Sequence, residues 1–326
     1  MKLDINISDP LKVLSTTKPV IEQSKFVFLS ENGLNQISKL INQKLVQGLG
    51  TAQDIFGATG NFKNDVQLIF LQTVTNFCFW AEKDKPKWQI EWKNKNISGF
   101  YALSASFQRA QIENKNIFNA NYLSEINRDE VVNIFRSNNQ TEIPLLDERV
   151  KNLREAGRFL KDKYNGQFIN ALEETNFDAI EIAKLLYANL ISFRDVAKLD
   201  EQEVVFLKRA QIGPNDLSYL SDKKYKSITN LDTLTAFADY KLPQMLREFG
   251  VIEYSTDLAK HIDNLILIPV GSREEIEIRA ATIWGIELIR QKLGKYSARE
   301  IDNALWFLSQ DQTGKKPYHR TYTIYY

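Results

Sequence analysis

Apolar residues recur at helical spacing along most of the chain. In 33–45 they fall at 34, 37, 40, 41 and 45, the stripe of an amphipathic helix, and Gly48 and Gly50 end it. Residues 65–80 are apolar and aromatic on every face, as a buried helix requires. The run 87–92 alternates instead, and with a turn at 94–96 and a second run at 97–101 it predicts a β-hairpin. Helices are then expected over 104–111, 124–135, 145–164, 177–190, 201–211, 255–262, 273–293 and 297–308, with Gly213-Pro214 breaking the fifth of these. Residues 1–17 carry little pattern, and 1–60 are the least patterned part of the chain. In the loop 51–64, Gly57 and Gly60 lack the spacing of a phosphate loop. This pattern is that of a mainly α protein, a single domain over 1–326 with one small hairpin insertion.

The stretch 232–250 is read as two helices meeting at a corner. A short one covers 232–238, and a second starts at Pro243, which cannot continue the first, and stops at Gly250. Asp239 then sits beside a helix N-terminus, where free N–H groups and the macrodipole favour an ionised carboxylate and a depressed pKa. On the local pattern alone, Asp239 is simply a capping residue.

Composition narrows the partners. Lysine and arginine number 42 against 41 acidic residues, so there is no long-range field to hold a polynucleotide, and a single nucleotide is the more natural ligand. The single cysteine, Cys78, excludes an internal disulfide framework and reads as core packing. Two isolated histidines, His261 and His319, make no metal-ligand cluster, and nothing calls for a cofactor. No apolar run approaches the roughly 20 residues of a membrane span, and the N-terminus has no charged-then-apolar export pattern. A cytoplasmic protein without a membrane partner is expected.

Leu234-Thr-Ala-Phe-Ala-Asp-Tyr-Lys-Leu-Pro-Gln244, with Val205-Phe-Leu-Lys-Arg-Ala-Gln211 before it, resembles the signature of the queuosine salvage proteins. Asn76-Phe-Cys-Phe-Trp80, Ile143–Arg149, Gly250–Ser255, Glu275–Arg279 and the ending from Pro317 extend the likeness in order. The resemblance implies an N-glycosylase that releases queuine from queuosine 5′-monophosphate, on a helical core resembling helix-hairpin-helix DNA glycosylases. It also implies Asp239 as the catalytic carboxylate, since cleavage of a nucleoside C–N bond passes through a cationic sugar. Queuine is a 7-deazaguanine without a protonatable N7, so help for the leaving group must come at N3, O6 or the ring face. Phe237 and Tyr240 flank Asp239 and are candidates for stacking, with helix packing as the plain alternative. Asp302 and Trp306 lie at i and i+4, so carboxylate and indole can face one ligand. Lys208, with Arg209 beside it, is the leading cation for the phosphate. Arg149 and Arg279, each beside acidic residues, are expected in structural ion pairs, and His261 on the surface. Lys241 departs from the family, where Arg is expected after FADY. Two rival readings are a glycosylase for another nucleotide and a non-catalytic protein that binds 7-deazapurines.

Overall fold

The segment Arg273–Leu293 is buried on nearly every face between Glu275 and Ile289, and a helix of that kind has to be enclosed by others. In the computed structural model, which describes residues 3–49, 52–311 and 314–326, it is the axis of one half of the protein. Helices Val13–Glu22, Leu34–Gln47, Lys241–Glu248 and Ala298–Leu308 pack around it. A second buried helix, Phe62–Thr75, organises the other half against Gly99–Ile112, Leu146–Lys163, Phe168–Glu174 and Lys208–Leu217. One apolar core runs through both halves, from Leu3 to Leu305. Shorter helices complete the helical part, and among the described residues the strands form three two-stranded antiparallel sheets. The architecture is mainly helical, and among the described residues no helix is long and apolar enough to cross a membrane.

The helices expected over 273–293, 297–308, 145–164, 33–45 and 255–262 form within a residue or two of those limits. Gly48 closes the early helix at φ 84°, while Gly50 and Thr51 lie outside the described residues. The hairpin pairs Gln89–Trp92 with Lys95–Ser98. Its turn is Lys93-Asn94, both at positive φ, and residues 99–101 already belong to the next helix.

Four expectations are corrected. Residues 1–17 contain the first half of the Val13–Glu22 helix, which tolerates Pro19 inside it and whose Thr17 hydroxyl accepts from Trp284 Nε1 at 3.1 Å. The helix expected over 201–211 is instead a hairpin, Val196–Leu199 with Gln202–Val205, followed by the Lys208–Leu217 helix. That helix runs through Gly213 and Pro214, because Gly213 packs against Thr73 and Leu186, where a larger residue would crowd. Residues 124–135 divide into Ala120–Glu125 and Arg128–Ile134. Finally, the corner at Asp239 has one helix, not two. After a single 3-10 turn at Leu231–Thr233, residues 234–239 form no helix or strand, and the helix Lys241–Glu248 starts two residues before Pro243.

Side chains take up the backbone groups that a helix over 234–239 would have paired internally. Gln211 accepts from Thr235 N at 2.9 Å, Asp302 accepts from Phe237 N at 2.7 Å, and Arg279 Nε donates to Ala238 O at 3.3 Å. Arg279 in turn makes a buried bidentate pair with Asp195, at 2.8 and 2.6 Å, between the rings of Phe206 and Tyr326. Asp195 accepts the first N–H of the Lys208–Leu217 helix at 2.9 Å. The pair therefore joins the segment carrying Asp239 to the helix carrying Lys208. Substituting Arg279→Leu leaves a carboxylate buried without its cation. A loss of about 3–5 kcal/mol is expected from urea unfolding, and a loss below about 1 kcal/mol would deny the pair its role.

Candidate active site

Between the two halves lies a cleft holding about 1090 Å³ of open space. Asp239, Phe237, Tyr240, Lys208, Asp302 and Trp306, the six residues singled out from the sequence, all line it. So do Asp216, Tyr219, Asn303, Phe56, Phe77, Phe100, Lys87, Lys241 and Tyr318, which sequence reasoning either missed or left unassigned to a site.

Asp239 is half-buried, and its Oδ1 accepts from the N–H groups of Lys241 and Leu242 at 2.8 and 3.0 Å, capping the helix that follows. Among the described residues Oδ2 has no hydrogen-bond partner. The expected depression of its pKa is not found. Burial raises the carboxyl above its ordinary range, and Lys208 and the two N–H groups recover only part of that. The helix terminus is present as expected, but desolvation outweighs it. A carboxylate raised in this way is a stronger base toward water.

Two further carboxyls share the cavity with a single oxygen each held. Asp302 Oδ2 takes the Phe237 N–H, and Asp216 Oδ1 takes the Asn215 amide at 3.0 Å. Burial pushes Asp302 well up, with Asp239 and Asp216 adding repulsion, and pushes Asp216 up to about 7. Both groups therefore retain proton-donating capacity near neutral pH. Lys208 is the cation among them. Its Nζ reaches Asn76 O at 3.4 Å, and the charges of Asp239, Asp216 and Asp302 sustain an ammonium that burial alone would weaken. No carboxylate lies within ion-pair contact of it, so the space between is open to a ligand. Its neighbour Arg209 faces the other way and serves the carbonyls of Val74 and Ser192, between the rings of Phe77 and Phe193.

At one end of the cleft the cations gather. Lys241 stands over the Tyr318 ring at 5.3 Å, and burial with repulsion from Lys87 and Lys315 brings its pKa down to about 8. Lys87 lines the rim, and Lys315 is held by Leu308 O at 2.9 Å and by Asp311 O. At the other end the walls are aromatic. Phe56 packs on Phe100 at 5.8 Å and on Tyr219 at 5.9 Å, and Trp306 meets Phe100 edge-on at 6.2 Å.

The other residues raised from the sequence are structural. Arg149 is fully buried but, among the described residues, has no carboxylate partner, contrary to expectation. It donates to Phe77 O and Pro144 O and lies over the Phe77 ring at 4.2 Å, so backbone dipoles and a π face compensate its charge. Arg279 is ion-paired as expected, though chiefly with Asp195, with Glu275 at 3.7 Å. Burial drives the Cys78 thiol up to about 12, which leaves it unreactive packing. His319 is buried against Tyr326 Oη at 3.3 Å and brought down to about 3, and His261 is exposed. Asp216 escaped notice because Gly213-Pro214 reads as the end of a helix. Only a continued helix puts 208, 212 and 216 on one face.

Comparison with known proteins gives the family. The family described as "Queuosine salvage protein" matches residues 58–326. A protein of Sphaerobacter thermophilus named queuosine 5′-phosphate N-glycosylase/hydrolase is 38% identical over 324 residues, covering 98% of each chain. One of the same name from Bos taurus is 31% identical, covering 95% of this chain and 97% of its own. Another from Schizosaccharomyces pombe is 33% identical over 76% of this chain and 75% of its own. With the family matched over most of its length, the chain belongs to the queuosine salvage proteins.

Proposed function

We propose that this enzyme hydrolyses the N-glycosidic bond of queuosine 5′-monophosphate, giving queuine and ribose 5-phosphate. The observation that carries the reading is the cleft itself, whose lining combines lysines, carboxyls and aromatic rings around Asp239. A phosphate suits the lysine end, a ribose the middle and a flat base the aromatic end. The C1′–N bond breaks with its electron pair leaving on the base. Asp239, through its free Oδ2, stabilises the sugar cation and takes a proton from the water whose oxygen joins C1′. Asp302 delivers a proton to the base and then accepts from its guanine-like edge, while Phe237, Tyr240 and Trp306 offer rings to the base.

Lys208 is better suited to the middle of the cleft than to the phosphate. Three carboxyls surround it, and its charge is what keeps Asp239 ionised despite burial. Lys241, with Lys87, replaces it as the phosphate group. The reading also takes the chain as one domain, which the continuous core supports. It keeps the likeness to helix-hairpin-helix glycosylases, which a helical cleft with an aspartate at a helix N-terminus supports. Its partners are the free nucleotide and queuine, not nucleic acid, and its setting is cytoplasmic.

Purified protein incubated with queuosine 5′-monophosphate is expected to release queuine, followed by mass spectrometry. Binding of queuine without release favours a non-catalytic binding protein, and release only from another nucleotide overturns the substrate.

Two pH profiles test the roles of the lysines. Lys241 loses its proton as pH rises through about 8, so kcat/KM for the monophosphate is expected to fall above that pH. Lys241→Arg should keep it level to higher pH, and an unchanged alkaline limb in that variant speaks against a phosphate contact. Removing the charge of Lys208 raises the pKa of Asp239 further. In Lys208→Met the acid limb of kcat/KM should therefore move to higher pH, and an unmoved limb removes Lys208 from this role.

A further inference from the structure

The catalytic account uses Asp239, Asp302 and Lys208 and leaves one buried carboxyl without a task. Asp216 sits on the lining face of the Lys208–Leu217 helix, with Ile212 and Lys208 one and two turns before it and Tyr219 just after. At 1.5 Å per residue it lies about 12 Å along the axis from Lys208. It is thus set toward the end of the cleft away from Lys241. Both Asp239 and Asp216 repel the Asp302 carboxyl.

Asp216 is also braced. Asn215 donates to its Oδ1, Asn303 Nδ2 donates to Asn215 Oδ1 at 3.2 Å and to Tyr219 Oη at 3.0 Å, and among the described residues its Oδ2 has no partner. Phe56, Phe100 and Tyr219 stand around this end in mutual contact. A carboxyl with one free oxygen among aromatic faces is the setting that favours an organic ammonium, through charge and through the ring quadrupoles.

Queuine differs from a plain 7-deazaguanine by a methylene at C7 that bears a secondary amine, protonated in water at neutral pH. Resting on the function proposed above, we infer that Asp216, with Phe56, Phe100 and Tyr219, forms a subsite for that ammonium and selects 7-deazaguanines that carry an amine. Phosphate and ammonium then anchor the two ends of one substrate, and the bond to be broken lies between them beside Asp239. Asp216 is a specificity residue in this account and takes no part in proton transfer.

The test compares 7-aminomethyl-7-deazaguanine, which is cationic, with 7-cyano-7-deazaguanine, which is neutral, by titration calorimetry at neutral pH. The wild type is expected to bind the cationic base about 10- to 100-fold more tightly. Asp216→Asn, which keeps the shape and the contact to Asn215, should shrink that preference to within about threefold and leave the neutral base unaffected. Equal affinities in the wild type, or equal weakening of both bases in the variant, overturn the subsite. The wild-type ratio is decisive even where the variant does not fold. Failure of the proposed function looks different: the wild type would then release no queuine from queuosine 5′-monophosphate, whatever the two bases do.

Discussion

The buried pair between Asp195 and Arg279 is what the site depends on. Two opposite charges with almost no exposure are costly to desolvate, and they are retained here with every strong contact filled. Asp195 holds the first turn of the helix bearing Lys208, and Arg279 holds the carbonyl just before Asp239. Neither residue lines the cleft, yet between them they set the distance between its central cation and its central carboxylate. Arg279 comes from the most enclosed helix of the fold, so this distance is referred to the most rigid part of the protein.

Within the cleft, charge is distributed unevenly and to effect. Three carboxyls share one ammonium in the interior, so they cannot all ionise together, and burial and repulsion keep Asp302 and Asp216 partly or wholly protonated. Asp239 stays the most acidic because it alone has both Lys208 and two backbone N–H groups on its side. One family of side chains thereby yields a base, an acid and a third carboxyl that titrates near neutrality. The lysines at the rim, which repel one another, are the complementary arrangement for a dianionic phosphate.

Much of this was legible in the amino-acid sequence, for identifiable reasons. Long amphipathic segments such as 273–293 declare themselves, and the alternation around Trp88 marks its hairpin. Asp239, Lys208 and Asp302 come forward through the FADY and KRAQ motifs and the spacing to Trp306. What periodicity hid was decided by tertiary contacts. Residues 234–239 have a helical composition but form no helix, and Gln211, Asp302 and Arg279 take up their backbone groups. Asp216 was invisible behind Gly213-Pro214, which packing against Thr73 and Leu186 makes tolerable in a helix. The pKa of Asp239 depends on enclosure by residues some 30 to 160 positions away, which no local motif reports.

The central claim is that Asp239 activates water against the glycosidic bond. The most direct measurement is a single turnover of queuosine 5′-monophosphate in ¹⁸O-labelled water, with wild type and Asp239→Asn compared at equal substrate occupancy. One ¹⁸O at C1 of ribose 5-phosphate from the wild type, and a rate lowered by about 10²- to 10⁴-fold in a folded, substrate-binding variant, are the predicted results. Unlabelled product, or a variant that turns over near the wild-type rate, contradicts it.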